Sequence, residues 1–281
     1  MKRKNVLKTV IFLVAVTATL FHACAPLHEF GETPAYGGKN DIPYRLPAYD
    51  HSQKTVVIVA NNDGTELFDM MAPYYLFSAT GKANVYIVAK DKFPIVIKKG
   101  VFVLPQLTFT QVDSLHLHPD VIVIPFLAVG DSLHQDPVIV SWIKKHYADD
   151  VNILSVCDGA ATAAATGLFD GKPITAHASD YEGIKASFRK PLWIQNTSVS
   201  GSGNLFSTAG VSNATEGSLT LISQLFGKET MQKVIANISY PYDSPKLSHQ
   251  SNTFHFRDKV TIAKKLIFRK NKKLGFLLQD G

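Results

Sequence analysis

Cysteine is scarce in this sequence, with only Cys24 and Cys157 among 281 residues. Cys24 lies in an uncharged segment near the amino terminus, so a disulfide within the chain is not expected. No two of the ten histidines have H-x-x-x-H spacing, and no C-x-x-C pair occurs, so the spacing does not support a metal site. We therefore expect Cys157 to be a free thiol, and we expect neither a metal nor another cofactor.

The central part of the chain also lacks an excess of positive charge. The formal net charge is +6, but the basic residues concentrate near the amino terminus and at 257–273, and the region between them is mildly acidic. No helix-turn-helix pair follows it. These features argue against nucleic acid as a partner.

Residues 1–25 have a basic start followed by an uncharged run, which is typical of a secretory signal or a short membrane anchor. Pro26 disfavours cleavage immediately before it. Phe21 and His22 fit poorly with lipidation of Cys24. We therefore expect an uncleaved anchor that holds the protein to the membrane on the extracytoplasmic face, with a lipoprotein or a secreted protein as the alternatives.

Two further segments flank the central region. Residues 26–53 are rich in proline and glycine, which is typical of a linker. Residues 243–281 form a basic tail, in which 257–273 has the pattern of a connecting helix or a membrane-surface helix. Its last residues, 274–281, resemble the opening of the central region. They are either the start of a truncated second copy or a strand at the sheet edge.

Residues 54–242 alternate between short β-branched runs and amphipathic segments. This alternation predicts an α/β domain in which a parallel sheet lies between layers of helices. The predicted strands are Thr55–Ala60, Val85–Ala89, Val121–Pro125 and Val151–Val156, with a hairpin between Phe93 and Leu107. The predicted helices are Glu66–Phe77, Val138–His146, Ala214–Phe226 and Lys228–Ile238.

Cys157 stands where an apolar strand ends and a small-residue segment begins. This pattern predicts a strand, a tight turn and a helix, which places the thiol near the unpaired N–H groups of the helix. Partial positive charge there favours the thiolate. The residues alone leave two interpretations open, a nucleophile and a buried, inert cysteine.

The segment SVCDGAATAAATGLFDGKPITAH, residues 155–177, resembles the nucleophile-elbow region of the ThiJ/PfpI superfamily. It is most similar to the isonitrile hydratase branch and to the amino-terminal domains of AraC-type regulators. The resemblance extends over about 55–240. It implies a flavodoxin-like fold, and it implies that Cys157 is the nucleophile of the elbow.

The same resemblance implies a set of site residues. Asp69, four residues before Pro73, matches the acidic residue that faces the cysteine, with Glu66 as its competitor and helix capping as its other interpretation. In relatives a P-G-G loop follows the third strand and supplies an N–H donor to an oxyanion-type pocket. This chain instead has Leu127, whose N–H could serve while its side chain crowds the site. The other expected pocket residues are Asp158, Gly159, His177 and Gly210.

Several activities of the superfamily are disfavoured. Peptidases carry histidine directly after the nucleophile, where this chain has Asp158, and no His-x-Glu pair follows to complete an amidotransferase triad. The pair Cys157 and Asp69 remains. It implies a hydro-lyase of the isonitrile hydratase type or a glyoxalase-like enzyme acting on a small molecule. The alternative is a non-catalytic module that binds or senses a small molecule, and either protein could be a homodimer.

The anchor can be tested by mass spectrometry of the full chain recovered from membranes. We expect an intact amino terminus, because Pro26 disfavours signal cleavage. A mature start between Ala18 and Ala25 would disprove the anchor, and an acylated Cys24 would replace it with a lipoprotein.

Overall fold

The first strand, β1 (Lys54–Val59), lies in the interior of the sheet and is a β-branched run that is buried on both faces. Val56 and Ile58 face one apolar cluster, whereas Val57 and Val59 face another. A strand needs this continuous apolar pattern when helices cover both faces of a parallel sheet.

The structure is a computed structural model, and it describes residues 48–97, 100–128 and 135–240.

The elements alternate along the chain as the sequence predicts. The other strands are β2 (Ala83–Ala89), β3 (Ile95–Ile97), β4 (Val101–Val103), β5 (Leu107–Thr108), β6 (Val121–Ile124), β7 (Asn152–Val156), β8 (Pro173–Ile174), β9 (Leu192–Trp193), β10 (Val199–Ser202) and β11 (Leu205–Thr208). The helices are α1 (Leu67–Ala79), α2 (Phe109–Ser114), α3 (Pro137–His146), α4 (Gly159–Ala165), α5 (Tyr181–Ser187), α6 (Asn213–Phe226) and α7 (Lys228–Asn237).

Seven strands form the main sheet in the order β10-β11-β7-β6-β1-β2-β5. Neighbouring strands are parallel throughout, except that β10 runs antiparallel to β11 at one edge. The predicted flavodoxin-like fold is confirmed, and the antiparallel edge strand is an addition to it. The predicted hairpin is the antiparallel pair of β3 and β4.

Helices cover both faces of the sheet. On one face α1, α6 and α7 contribute apolar side chains such as Phe77, Leu219 and Val234. On the other face α2, α3 and α4 contribute side chains such as Phe109, Ile143 and Ala160. The domain therefore has three layers, and the sheet lies between its two apolar clusters.

The strand order reverses beside β1. The chain passes from β1 to β2 on one side and later returns to β6 on the other side. Ligands of open parallel sheets bind at the carboxyl ends of the strands where such a reversal occurs. The segments that follow β1, β6 and β7 meet at this edge.

The last residues of the predicted linker contact the domain. The hydroxyl groups of Tyr49 and Thr55 lie 3.1 Å apart, and the backbone of Asp50 makes hydrogen bonds of 3.0 and 2.8 Å with the side chain of Asn84. The rest of the linker, the predicted anchor at 1–25 and the predicted tail at 243–281 lie outside the described residues. Among the described helices, none is long and apolar enough to cross a membrane.

The turn between β7 and α4 requires glycine at position 159. A Cβ atom there would overlap the carbonyl oxygen of Ile124 and would lie 2.7 Å from the carbonyl oxygen of Pro125. Both oxygens belong to the backbone at the end of β6, so they cannot rotate away. The sequence predicts Gly159 as a pocket residue, and the structure shows that it lets the elbow lie directly against the adjacent strand.

We expect Gly159→Ala to lower the free energy of unfolding by about 3 kcal/mol or more, because the new methyl group overpacks against rigid backbone. In thermal unfolding this corresponds to a fall in Tm of roughly 6–12 °C. Gly183→Ala is the matched control, since nothing lies within 4 Å of a Cβ atom at that position of α5. The control should stay within about 1 kcal/mol of wild type. Equal melting temperatures for the two variants would contradict the close approach.

Candidate active site

Cys157 occupies the turn between β7 and α4 with a left-handed backbone, φ +55°. A non-glycine residue rarely adopts this conformation, and such residues concentrate at functional sites. The strand, turn and helix match the predicted nucleophile elbow. The residue is only 4% exposed, so the thiol lies beneath the surface.

The surroundings of Cys157 favour the neutral thiol. Burial raises the pKa of the thiol well above its usual range, and the negative charges of Asp69 and Asp158 raise it further. A backbone hydrogen bond from Asp158 acts in the opposite direction but is a smaller influence. Burial and the neighbouring carboxylates therefore oppose the thiolate that the helix N-terminus alone would favour.

Asp69 lies in the first turn of α1 and is fully buried. Its Oδ2 accepts a hydrogen bond of 3.1 Å from the N–H of Phe126, in the segment that follows β6. The cap of the helix is Glu66, whose carboxylate accepts the N–H of Asp69 at 2.6 Å. Glu66 therefore caps the helix, and although the charges of both acids raise the pKa of the Cys157 thiol, that of Asp69 has the larger effect.

The segments after β1 and β6 pair with each other. Thr65 and Leu127 form an antiparallel bridge, which two backbone hydrogen bonds of 2.9 Å flank. In this pattern the N–H of Leu127 points away from Thr65. The Leu127 side chain packs in the core and is 4% exposed. The role of its N–H in an oxyanion-type pocket stays a prediction.

Asp158, directly after the nucleophile, is buried beside a second acid. Burial raises the pKa of its carboxyl group well above the usual range, and the charge of Asp180 together with a hydrogen bond to Asp180 raises it further. The N–H of His177 acts in the opposite direction. Asp180 has no counterpart among the predicted site residues. It lies at the start of α5, where aspartate is ordinarily read as a helix cap, although its side chain makes no capping hydrogen bond.

His177 follows β8 and connects the elbow with a cavity. Its backbone N–H holds Asp158, and its side chain is 40% exposed. The cavity has a volume of about 440 Å³. Its lining residues are Phe68, His177, Ala178, Gly210, Val211, Ser212 and Asn213.

Gly210, after β11, lies in the wall of this cavity, and its role in binding stays a prediction. Its N–H donates to the side-chain oxygen of Asn213 at 2.9 Å. A Cβ atom at this position would lie 3.1 Å from the same oxygen and 3.8 Å from the His177 ring. Glycine therefore keeps the cavity wall clear beside His177.

The sequence pattern of the DJ-1/PfpI family matches residues 53–224. The chain belongs to the DJ-1/PfpI family. Membership confirms the resemblance carried by the segment at 155–177, and the matched region contains Cys157, Asp69 and every other predicted site residue.

Individual members of the DJ-1/PfpI family show how far the similarity extends. An isonitrile hydratase of Pseudomonas putida is 29% identical over 180 residues, which are 63% of this chain and 76% of that protein. DJ-1beta of Drosophila melanogaster has a TM-score of 0.58 at 20% identity, over 68% of this chain and 100% of that one. A THiJ/PfpI family protein from Pseudomonas syringae has a TM-score of 0.58 at 21% identity, over 73% of this chain and 85% of that one. The two structures show the shared fold alone.

The raised pKa of the Asp158 carboxyl group predicts how the stability of the fold depends on pH. The folded protein holds the carboxyl proton of Asp158 more tightly than the unfolded chain does. The stability that this proton contributes is therefore present at low pH and is lost as the pH rises through the folded-state pKa. Asp158→Asn removes this dependence. A metal chelator is included so that no cation binds the carboxylates. Under these conditions we expect the variant to melt several degrees above wild type at pH 8, with the difference shrinking toward pH 4.

Asp170→Asn is the matched control, because Asp170 is an exposed carboxylate that pairs with Lys190 at 2.9 Å. Its melting temperature should follow that of wild type across the same pH range. A lower Tm for Asp158→Asn than for wild type at pH 8 would contradict the prediction, because it would mean that ionised Asp158 stabilises the fold.

Proposed function

We propose that this protein hydrates a small electrophile through Cys157 and Asp69, in the manner of an isonitrile hydratase. One observation carries the proposal, namely that the fold brings a fully buried carboxylate close enough to the elbow cysteine for its charge to raise the pKa of the thiol. The curated relative named isonitrile hydratase supports this choice of chemistry.

The proposed reaction uses the neutral thiol as its starting point. The sulfur of Cys157 adds to the terminal carbon of an isonitrile while a proton is delivered to that carbon, which yields a thioimidate. Asp69 accepts the thiol proton and returns it. Water then adds to the thioimidate carbon, and breakage of the C–S bond releases an N-substituted formamide and regenerates the thiol. The net change is the addition of one water molecule.

The pairing of the Cys157 thiol with the Asp69 carboxylate suits this sequence of steps. A carboxylate next to a high-pKa thiol can act as a general base only while attack is under way, so that free thiolate does not accumulate. The Phe126 N–H holds Asp69 in place and leaves the acid anchored to a segment other than its own helix. The reaction therefore relies on positioning within a buried site.

A non-catalytic binding module is the second candidate. The burial of Cys157 and the raised pKa of its thiol favour this alternative, because both reduce reactivity toward external electrophiles. The same residues would then form the floor of a binding site for a small molecule, and the family fold would provide a sensing or dimerising domain.

For either function we propose that the protein lies on the extracytoplasmic side of the membrane and that the segment at 1–25 anchors it there.

Incubation of the full chain with alkyl and aryl isonitriles, with formamide measured by mass spectrometry, tests the enzymatic proposal. A small 2-oxoaldehyde tests the glyoxalase-like alternative, for which the product is a 2-hydroxy acid. We expect formamide from wild type and background rates from Cys157→Ser. Wild-type rates in the serine variant would disprove the nucleophile. An absence of turnover combined with a ligand-induced rise in Tm would favour the binding module.

Asp69→Asn separates proton transfer from thiol reactivity. The negative charge of Asp69 raises the pKa of Cys157, so its removal should lower that pKa and speed alkylation by iodoacetamide at pH 8. Turnover should nevertheless fall by about 10²-fold or more, since proton transfer is lost. Asp170→Asn should change neither quantity. A proportional loss of alkylation and turnover would show that Asp69 maintains the fold instead of moving a proton.

A further inference from the structure

Three potential metal ligands meet beside the elbow although they belong to separate segments. Asp158 precedes α4, His177 follows β8, and Asp180 precedes α5. One donor atom from each side chain lies within 4.8 Å of the others. The sequence spacing does not reveal this group, because Asp158 is nineteen or more positions away from its partners.

Within this group the only basic side chain is His177, whose Nδ1 lies 3.9 Å from Asp180 Oδ2. Its side chain is 8% exposed, and within the described residues its buried Oδ1 has no hydrogen-bond partner. Neither Asp158 nor Asp180 forms an ion pair with a lysine or arginine in the part of the chain that the structure describes. A buried carboxylate that faces another carboxylate calls for a bound proton or a cation.

The hydrogen bonds of His177 prepare its ring for metal binding. The Ser179 hydroxyl donates to Asp180 Oδ2 at 2.6 Å, and it accepts from His177 Nδ1 at 2.7 Å in the tautomer that carries the proton on Nδ1. The Ser179 N–H also faces Nδ1, but at 3.4 Å it is the weaker contact. With the proton on Nδ1, Nε2 keeps the free lone pair, and the ring must turn to bring Nε2 to the acids because Nδ1 is the nitrogen that lies 3.9 Å from Asp180 Oδ2. Histidine ligands of metals usually donate from their other nitrogen in this way.

We propose that Asp158, Asp180 and His177 bind a divalent first-row transition-metal ion such as Zn²⁺. Two carboxylates and one imidazole form a ligand set that suits such ions, whereas Mg²⁺ and Ca²⁺ prefer oxygen ligands alone. Metal–ligand bonds of about 2.0–2.2 Å in tetrahedral geometry place the ligand atoms about 3.3–3.6 Å apart. The donor atoms lie within 4.8 Å of one another, so binding requires them to close by up to about 1.5 Å, which the partly exposed His177 side chain permits.

The proposed ion would have access to solvent on one side. His177 lines the cavity of about 440 Å³, and the cavity wall at Gly210 lies beside the His177 ring. Three protein ligands leave a coordination position open for water or for a ligand that enters this cavity. This inference does not depend on the proposed hydration, because neither Asp69 nor the Cys157 sulfur belongs to the ligand set.

Calorimetric titration of the chelator-treated full chain with ZnCl₂ tests the site. We expect one ion per chain in wild type and at least about tenfold weaker binding in Asp158→Asn, Asp180→Asn and His177→Gln. Three controls should bind as wild type does. Cys157→Ser removes the thiol, whereas Asp170→Asn and His146→Gln remove the same types of ligand elsewhere in the domain.

The outcomes are distinct. Absence of stoichiometric binding in wild type would overturn the proposal, as would full binding in the three ligand variants. Loss of binding in Cys157→Ser would assign the ion to the thiol and would also overturn it. Melting curves in the presence of chelator show whether each variant is folded, and a Zn²⁺-dependent rise in Tm should occur in wild type and in the controls alone.

Discussion

The candidate site depends on the short segment that follows β6. Its first carbonyl groups lie so close to the elbow that only glycine fits at position 159, and the N–H of Phe126 holds the carboxylate of Asp69. The nucleophile and the acid come from elements on opposite sides of β6, yet both are fixed against the same few backbone atoms. Their relative position therefore depends on the sheet itself and needs no flexible loop.

The electrostatics of the site follow from this close packing. Cys157, Asp69 and Asp158 are all at least nine-tenths buried, and each carboxylate raises the pKa of the thiol. An elbow cysteine at a helix N-terminus is ordinarily expected to be acidic, but α4 has only seven residues and begins beside Asp158. Reactivity must therefore come from proton transfer during attack, or from neutralisation of the neighbouring acids.

Two chemistries can neutralise those acids, and they involve different residues. Asp69 faces the thiol and suits proton transfer, whereas Asp158 faces Asp180 and His177 and suits a cation. The similarity of this chain to an isonitrile hydratase supports proton transfer by Asp69. Only the side-chain geometry of this chain points to the second. The two can be separated experimentally because the ligand set and the reacting pair share no side chain.

The sequence by itself determined the layered α/β fold, since β-branched runs and amphipathic segments alternate from Lys54 onward and each run is long enough for a buried strand. It also located the elbow, because the change from an apolar strand to glycine and alanine is local. The antiparallel pairing of β10 with β11 followed only from tertiary structure, as strand direction at a sheet edge depends on chain path. The same holds for the pKa of Cys157 and for the contact of Asp158 with Asp180. Burial and through-space charge depend on distances between segments far apart in the chain, and local residue patterns do not encode those distances.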